Sequence, residues 1–301
     1  MHEAVCERTG CNKPPFPLTP EGIYRIAALF KAGGYLSFDN YMLRAKAEHV
    51  VAEGANGEWS RALDRACKEC MRSVGRGAGA ARQSSPLDVL FVATLGLDCE
   101  PVVEAGPLAP VDCVIAGTLF LLREIELLAA RRSHVTIAED QRSVTWLLPT
   151  SKTDPRAVGV SRSWDCICSV PGMGGICPVH ALVRQCARLV GVAEACGADL
   201  QSLPLFPRMD GSEVHRHAMN GTINVLVTRS NRPVPDASGC WLYGGHSMRT
   251  GGAHLLASRG VHPYKIQALG RWKSGLVVHL SLIHISEPTR RYAISYAVFC
   301  L

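Results

Sequence analysis

Residues 244–260 read GGHSMRTGGAHLLASRG, and the interpretation of the whole chain starts from this stretch. His246 and Arg249 stand three positions apart, so on a predicted helix they share one face. The glycine pairs on either side predict that another part of the backbone approaches closely. Histidine and arginine both donate hydrogen bonds to anions, so the stretch indicates a phosphate-binding site.

Three more residues along the chain fit the same chemistry, although each alone is weak evidence. Arg123 lies in the apolar stretch LFLLREIELL, which predicts a buried helix. A buried guanidinium needs an anion, which is either Glu126 in a structural pair or a bound phosphate. Lys152 stands in LLPTSKTDP at a predicted turn, and Trp272 stands in GRWKS, downstream of Arg249.

The composition is that of a folded protein with reduced thiols. Hydrophobic residues make up 47% of the 301 residues and charged residues 19%, which argues against a disordered chain. The net charge of +6 fits nucleic-acid binding without requiring it. The opening MHEAVCERTG predicts no secretory leader, and no apolar run is long enough for a membrane span. The 13 cysteines are therefore expected in an intracellular protein, which would be nuclear in a eukaryotic cell.

Hydrophobic spacing predicts a mainly α-helical chain with a small antiparallel β-sheet. Thr19 and Pro20 predict the start of a first helix that ends at Gly33. Residues 111–132 predict one long buried helix, and the alternation in residues 134–163 predicts short strands. The predicted divisions are an irregular segment at 1–18, helices at 19–74, a linker at 75–90 and a second domain at 91–279.

The order and spacing of these residues resemble the tyrosine recombinase family, which includes the phage integrases. The arginine of LLREIEL, the turn lysine, the His-x-x-Arg motif and the tryptophan of LGRWKS follow one another as they do there. The resemblance covers roughly residues 90–279. It implies a two-domain architecture, with a helical core-binding domain at 19–74 and an α+β catalytic domain at 91–279.

The resemblance also implies a reaction. Members of this family break and rejoin double-stranded DNA without a metal or another cofactor, by attack of a tyrosine hydroxyl on a backbone phosphate. The expected products are a 3′-phosphotyrosyl link and a free 5′-hydroxyl. Arg123 and Arg249 would bind the phosphate oxygens, and Lys152 would protonate the leaving oxygen. His246 would assist proton movement, and Trp272 would donate one hydrogen bond.

The implied partners are double-stranded DNA and further protomers assembled on it, with no membrane and no small-molecule substrate. The implied role is site-specific recombination or integration of a mobile element. The nucleophilic tyrosine, however, is missing where the resemblance places it, because that position is Leu280 or Ser281. Neither residue is a suitable nucleophile, so this chain is expected to be truncated and inactive.

Residues 280–301 have a separate explanation. LSLIHISEPTR resembles the translation of a sequencing adapter, and ISYAVFCL resembles the translation of the matching primer. On this interpretation Tyr292 and Tyr296 belong to an artefact and have no catalytic role.

CICSVPGMGGICPVH forms a second candidate site. Cys-x-Cys followed by Cys-Pro-x-His at a helix start offers four ligands for a structural zinc ion, namely Cys166, Cys168, Cys177 and His180. Cys-x-Cys is tighter than the usual Cys-x-x-Cys, so four reduced residues without a metal are the alternative. The alternative function is a DNA-binding protein of the same fold that is stabilised by zinc and does not cut DNA. A metal-dependent nuclease is disfavoured, because no acidic pair stands near the basic residues at metal-ligand spacing.

Overall fold

The computed structural model describes most of the chain. The described residues are 16–53, 58–77, 84–96, 99–149, 159–229 and 242–272. They fall into two compact units, Met1–Arg82 and Gln83–Leu301. Lys152 and the tail at 280–301 lie outside the described residues.

The described residues of the smaller unit form three helices, which are α1 (Pro20–Ala32), α2 (Phe38–Glu53) and α3 (Arg61–Gly75). The Thr19 hydroxyl accepts a hydrogen bond from the Gly22 N–H at 3.1 Å, which caps α1, and Gly33 follows its last residue. The predicted start and end of this helix are therefore confirmed. Ile23, Phe30 and Leu63 are among the buried side chains that hold the unit together.

The larger unit consists of seven helices and one sheet within its described residues. The helices are α4 (Val89–Val92), α5 (Pro110–Leu119), α6 (Glu124–Leu128), α7 (Pro178–Cys196), α8 (Arg216–Thr228), α9 (Ser247–Ser258) and α10 (Pro263–Gly270). Leu87 and Val89, at the end of the predicted linker, are buried in its core. None of the described helices of the chain is long and apolar enough to cross a membrane.

The sheet has three antiparallel strands in the order β1 (Val135–Ile137), β2 (Ser143–Leu148) and β3 (Val160–Asp165). Trp146 and Trp164 are fully buried on the face of the sheet that meets the core. Thr145 pairs with Ser163 in the register, and their hydroxyls lie 2.8 Å apart. The predicted fold class, mainly α-helical with a small antiparallel sheet, is confirmed.

The predicted single helix at 111–132 is wrong. Helix α5 ends at Leu119, and Leu121 adopts a left-handed conformation with φ of 49°. The Leu122 N–H bonds the Gly117 carbonyl at 2.9 Å and the Leu121 N–H bonds the Thr118 carbonyl at 3.1 Å, which is a Schellman ending. A glycine usually takes the left-handed position, and its absence here left the end of the helix without a recognisable stop signal. Complete burial of the leucines around the break compensates for the backbone strain.

Helix α9 packs closely against α5 and against the chain before α4. A methyl group on Gly252 would overlap the Thr118 carbonyl, and one on Gly251 would overlap the Leu87 carbonyl. Close backbone approach at this glycine pair, which the sequence predicted, is confirmed. The contact fixes the position of α9 and therefore of the residues at its N-terminus.

Candidate phosphate-binding site

Arg123 stands at the N-terminus of α6 rather than inside a long helix. The chain reversal at Leu121 places it there, with 15% of its side chain exposed. Its backbone N–H donates to Glu126 Oε2 at 2.9 Å, and its Nη1 donates to Glu126 Oε1 at 2.8 Å. The pair suggested by the sequence is present, but it uses only one of the five N–H donors of the guanidinium.

Arg249 lies in the first turn of α9 and is 3% exposed. Its Nη1 donates to the Leu121 carbonyl at 2.8 Å, and its Nη2 donates to the Gly270 carbonyl. The guanidinium carbon is 4.9 Å from the ring centre of Trp272, in a cation–π arrangement. Two carbonyls and an indole therefore hold this side chain in place, and none of the three carries a negative charge.

The electrostatics of Arg249 indicate which charges surround it. Burial, followed by the nearby cation of Arg123, lowers the pKa of Arg249 to about 9, and Arg271 acts in the same direction. Glu126 opposes the shift. Burial and like charges both disfavour the protonated guanidinium, and an anion bound beside it would relieve both effects.

Arg271 is a third arginine at this site, and its role was not predicted from the sequence. Its side chain is 7% exposed, and its Nη2 donates to Glu126 Oε2 at 2.6 Å. Its Nε and Nη1 atoms are buried and meet no acceptor among the described residues. Its backbone is left-handed, with φ of 55°, at the C-terminus of α10. The sequence signal that could have identified Arg271 is its position between Gly270 and Trp272 in the motif LGRWKS.

The Glu126 carboxylate thus pairs with the guanidiniums of Arg123 and Arg271 and lies near that of Arg249. We call this set the arginine pocket: Arg123, Arg249, Arg271 and Glu126. Burial alone would raise the pKa of Glu126, but the Arg123 N–H and the cations of Arg271 and Arg123 hold it below its usual value. The carboxylate is therefore ionised at neutral pH. It cannot neutralise three cations, so the pocket keeps an excess of positive charge and two unmatched donors.

His246 is an exposed residue immediately before α9. The loop that carries it rests on α6, where the Glu124 N–H bonds the Gly245 carbonyl at 3.3 Å. A side chain at Gly245 would overlap the buried carboxylate of Glu124, which in turn accepts from Arg216 Nε at 3.1 Å. His246 occupies the N-cap position of α9 in a right-handed helical conformation, three residues before Arg249.

The five predicted site residues therefore divide into three groups. Arg123, Arg249 and Trp272 come together around the arginine pocket. His246 lies one turn before Arg249 at the start of the same helix. Lys152 lies outside the described residues, as do Leu280 and Ser281, where the tyrosine was expected.

The predicted metal ligands also come together. The sulfur and nitrogen atoms of Cys166, Cys168, Cys177 and His180 all lie within 4.8 Å of one another. All three cysteines are free thiols. Burial, together with the neighbouring thiols of Cys166 and Cys177, raises the pKa of Cys168 to about 12. These four residues offer the ligand set of a Cys3His metal site, and we call them the Cys3His cluster.

Comparison with known proteins adds evidence on the fold. No family model and no curated protein sequence matches the chain. Among solved structures, a lambda integrase dimer bound to a COC′ core site matches with a TM-score of 0.55 and 13% identity, over 97% of this chain and 90% of that one.

Two further solved structures match equally well. The Tn1549 transposon integrase in complex with circular intermediate DNA gives a TM-score of 0.55 at 16% identity, covering 95% of this chain and 87% of that one. The XerH site-specific recombinase bound to palindromic difH gives 0.55 at 12% identity, covering 90% and 69%. All three are tyrosine recombinases, and this chain has their fold. The fold expected from the resemblance is therefore confirmed.

Proposed function

We propose that the arginine pocket binds a backbone phosphate of double-stranded DNA, and that the chain derives from a DNA-breaking and DNA-rejoining recombinase. The observation that carries the proposal is the charge balance of the pocket: Arg123 and Arg271 both pair with Glu126, and the neighbouring buried Arg249 has only uncharged partners. A phosphate supplies the missing negative charge and accepts paired hydrogen bonds from arginines. The fold supports the same conclusion, since the similar structures are recombinases in complex with DNA.

The proposed roles follow from the donors that remain available. Arg249 spends two of its five N–H donors on carbonyls and Arg123 spends one on Glu126, so both can also donate to phosphate oxygens. Arg271 contributes the unmatched Nε and Nη1 groups. As negative charge grows on the pentacoordinate phosphorus, these fixed donors stabilise it without reorganisation.

The remaining steps move protons and are part of the proposal. A tyrosine oxygen forms a bond to phosphorus, and the bond from phosphorus to the 5′-oxygen breaks. His246 takes up the proton of the attacking hydroxyl, and Lys152 gives a proton to the leaving oxygen. The indole of Trp272 packs beside Arg249 and donates to the phosphate. The link is a phosphodiester in both states, so the reverse reaction rejoins the strand without a cofactor.

This chain as written is proposed to lack the nucleophile. Leu280 or Ser281 occupies the expected position of the tyrosine, and neither can form the phosphotyrosyl link. Binding to DNA should therefore persist, while cleavage should require the restored gene sequence. Further protomers on DNA, and a role in recombination or integration of a mobile element, belong to the same proposal.

The alternative is a zinc-stabilised, DNA-binding protein of the same fold that does not cut DNA. Covalent capture separates the two. A duplex selected from a random library by binding is nicked and incubated with two proteins, the chain as written and one whose sequence beyond Val278 is restored from the gene. A protein–DNA band that resists denaturant, seen only with the restored protein, supports the recombinase. An adduct at Tyr292 or Tyr296 would contradict the proposal that this chain lacks its nucleophile. The absence of an adduct with both proteins would favour the alternative.

A further inference from the structure

The Cys3His cluster joins two parts of the larger unit that are separate in sequence. Cys166 and Cys168 follow directly after the last residue of β3. Cys177 precedes the first residue of α7, and His180 lies in the first turn of that helix. The segment between the two halves loops back, so that all four ligand atoms meet at one point.

The distances within the cluster fit a tetrahedral ion. Zinc binds sulfur at about 2.3 Å and nitrogen at about 2.0 Å, which places two bound sulfurs about 3.8 Å apart. The sulfurs of Cys166 and Cys177 are 3.9 Å apart, and Cys168 Sγ lies 3.0 Å from His180 Nδ1. Shifts of less than about 1 Å bring all four atoms to zinc-binding positions. A disulfide joins two sulfurs at about 2.05 Å and gives no reason for a third sulfur and an imidazole.

Hydrophobic packing does not explain the convergence either. The apolar side chains of the same loop are directed into the core, where Ile167, Met173 and Ile176 are at most 1% exposed. Cys168 and His180 are exposed on the other side of the loop. Cys177 is buried at the edge of the core and Cys166 is half-buried beside it, so the four ligand atoms meet where the core borders the surface.

We propose that Cys166, Cys168, Cys177 and His180 together bind one zinc ion. Three soft thiolates and one imidazole favour zinc over magnesium or calcium, which prefer oxygen ligands. Each thiol loses its proton on binding, and the imidazole binds as the neutral base. Four protein ligands leave no open coordination position, so the ion is structural and takes no part in strand cleavage.

The position of the site gives the ion a specific structural effect. It closes the loop between β3 and α7, and within that loop the Pro171 carbonyl accepts a hydrogen bond from Arg259 Nη1 at 2.9 Å. Arg259 caps the C-terminus of α9, the helix whose first turn carries Arg249. Zinc therefore stabilises the sheet and α7, and it supports α9 from the end opposite the arginine pocket.

The first experiment measures zinc in the full chain, purified under reducing conditions and freed of loosely bound metal by gel filtration. We expect about one zinc per chain by mass spectrometry of the metal. The variants Cys168→Ser and His180→Ala should lose most of it. Cys196→Ser is the matched control, because Cys196 is an exposed thiol on the same helix outside the cluster, and it should keep the metal.

The second experiment separates ligation from general damage to the fold. His180→Cys replaces one zinc ligand by another and should retain the zinc that His180→Ala loses. A strong chelator should lower the melting temperature of the wild type by roughly 5 °C, and have no further effect on Cys168→Ser. Wild type without zinc, or equal zinc in Cys168→Ser and Cys196→Ser, would overturn the proposal. So would a Cys166–Cys177 disulfide in the reduced preparation.

Discussion

Two arginine clusters in the larger unit have similar chemistry and different surroundings. At Asp112, which is 1% exposed, the carboxylate accepts from Arg184 Nε at 3.2 Å and from Arg188 Nη1 at 2.6 Å. The side chains of Arg184 and Arg188 are 34% and 20% exposed, so water solvates the positive charge that the Asp112 carboxylate does not neutralise. At Glu126 the corresponding arginines are Arg123, Arg271 and Arg249: the first two side chains are 15% and 7% exposed, and Arg249 is 3% exposed as a whole residue.

The difference distinguishes the proposed binding site from the other cluster. Both hold more arginines than carboxylates, so the number of charges does not distinguish them. Only the pocket at Glu126 combines burial with donors that meet no acceptor among the described residues, namely Nε and Nη1 of Arg271. Buried unmatched donors are costly, and a bound phosphate removes that cost. The cluster at Asp112 therefore serves as the natural control in experiments on the pocket.

The largest expected effect is on catalysis. In a protein with the tyrosine restored, Arg249→Lys should lower the cleavage rate on nicked DNA by about a thousandfold, because lysine keeps the charge and loses the planar pair of donors. Arg188→Lys, in the control cluster, should leave the rate within about twofold. Wild-type cleavage by Arg249→Lys would break the argument that a fixed guanidinium clamps the phosphate.

Removing the carboxylate should destabilise the protein more at the arginine pocket than at the Asp112 cluster. Glu126→Gln removes the negative charge that pairs with Arg123 and Arg271 and lies near the buried Arg249, and it should lower the free energy of unfolding by about 3 kcal/mol. Asp112→Asn should cost less, because Arg184 and Arg188 remain partly in water. Chemical denaturation measures both. An equal loss in the two variants would show that burial does not distinguish the clusters.

The affinity for DNA should depend on the salt concentration and on the arginines of the pocket. Affinity of the chain for duplex DNA should fall at least about tenfold between 50 and 200 mM salt, because phosphate contacts release counterions. Arg249→Ala should weaken binding at fixed salt, whereas Arg184→Ala should not. Fluorescence anisotropy gives both numbers. Affinity that does not change with salt would count against any nucleic-acid role.

Residues with local signals were predicted from the sequence, whereas those set by tertiary packing were not. Thr19 and Gly33 bound a helix through caps that any chain would use, and the strands follow from alternation. The break at Leu121 could not be predicted, because leucine favours helix and only core packing maintains a left-handed leucine.

The candidate site, like the fold, was predicted from the sequence only in part. Arg123, Arg249 and Trp272 were predicted to share a site because their order and spacing resemble those of the tyrosine recombinases, and the structure brings them together. Arg271 was missed because its significance depends on Glu126, which lies far away in sequence and meets it only in the folded chain. Lys152 and the residues around Leu280 lie outside the described residues, so their roles remain predictions.

The central claim is that the arginine pocket binds an oxyanion, and phosphate-dependent thermal stability tests it most directly. Inorganic phosphate replaces chloride at constant ionic strength, and the melting temperature is followed in wild type, Arg271→Ala and Arg184→Ala. We predict a rise of roughly 3 °C at saturating phosphate in wild type and Arg184→Ala, and little or none in Arg271→Ala. The same rise in all three proteins, or no rise in the wild type, would contradict the claim.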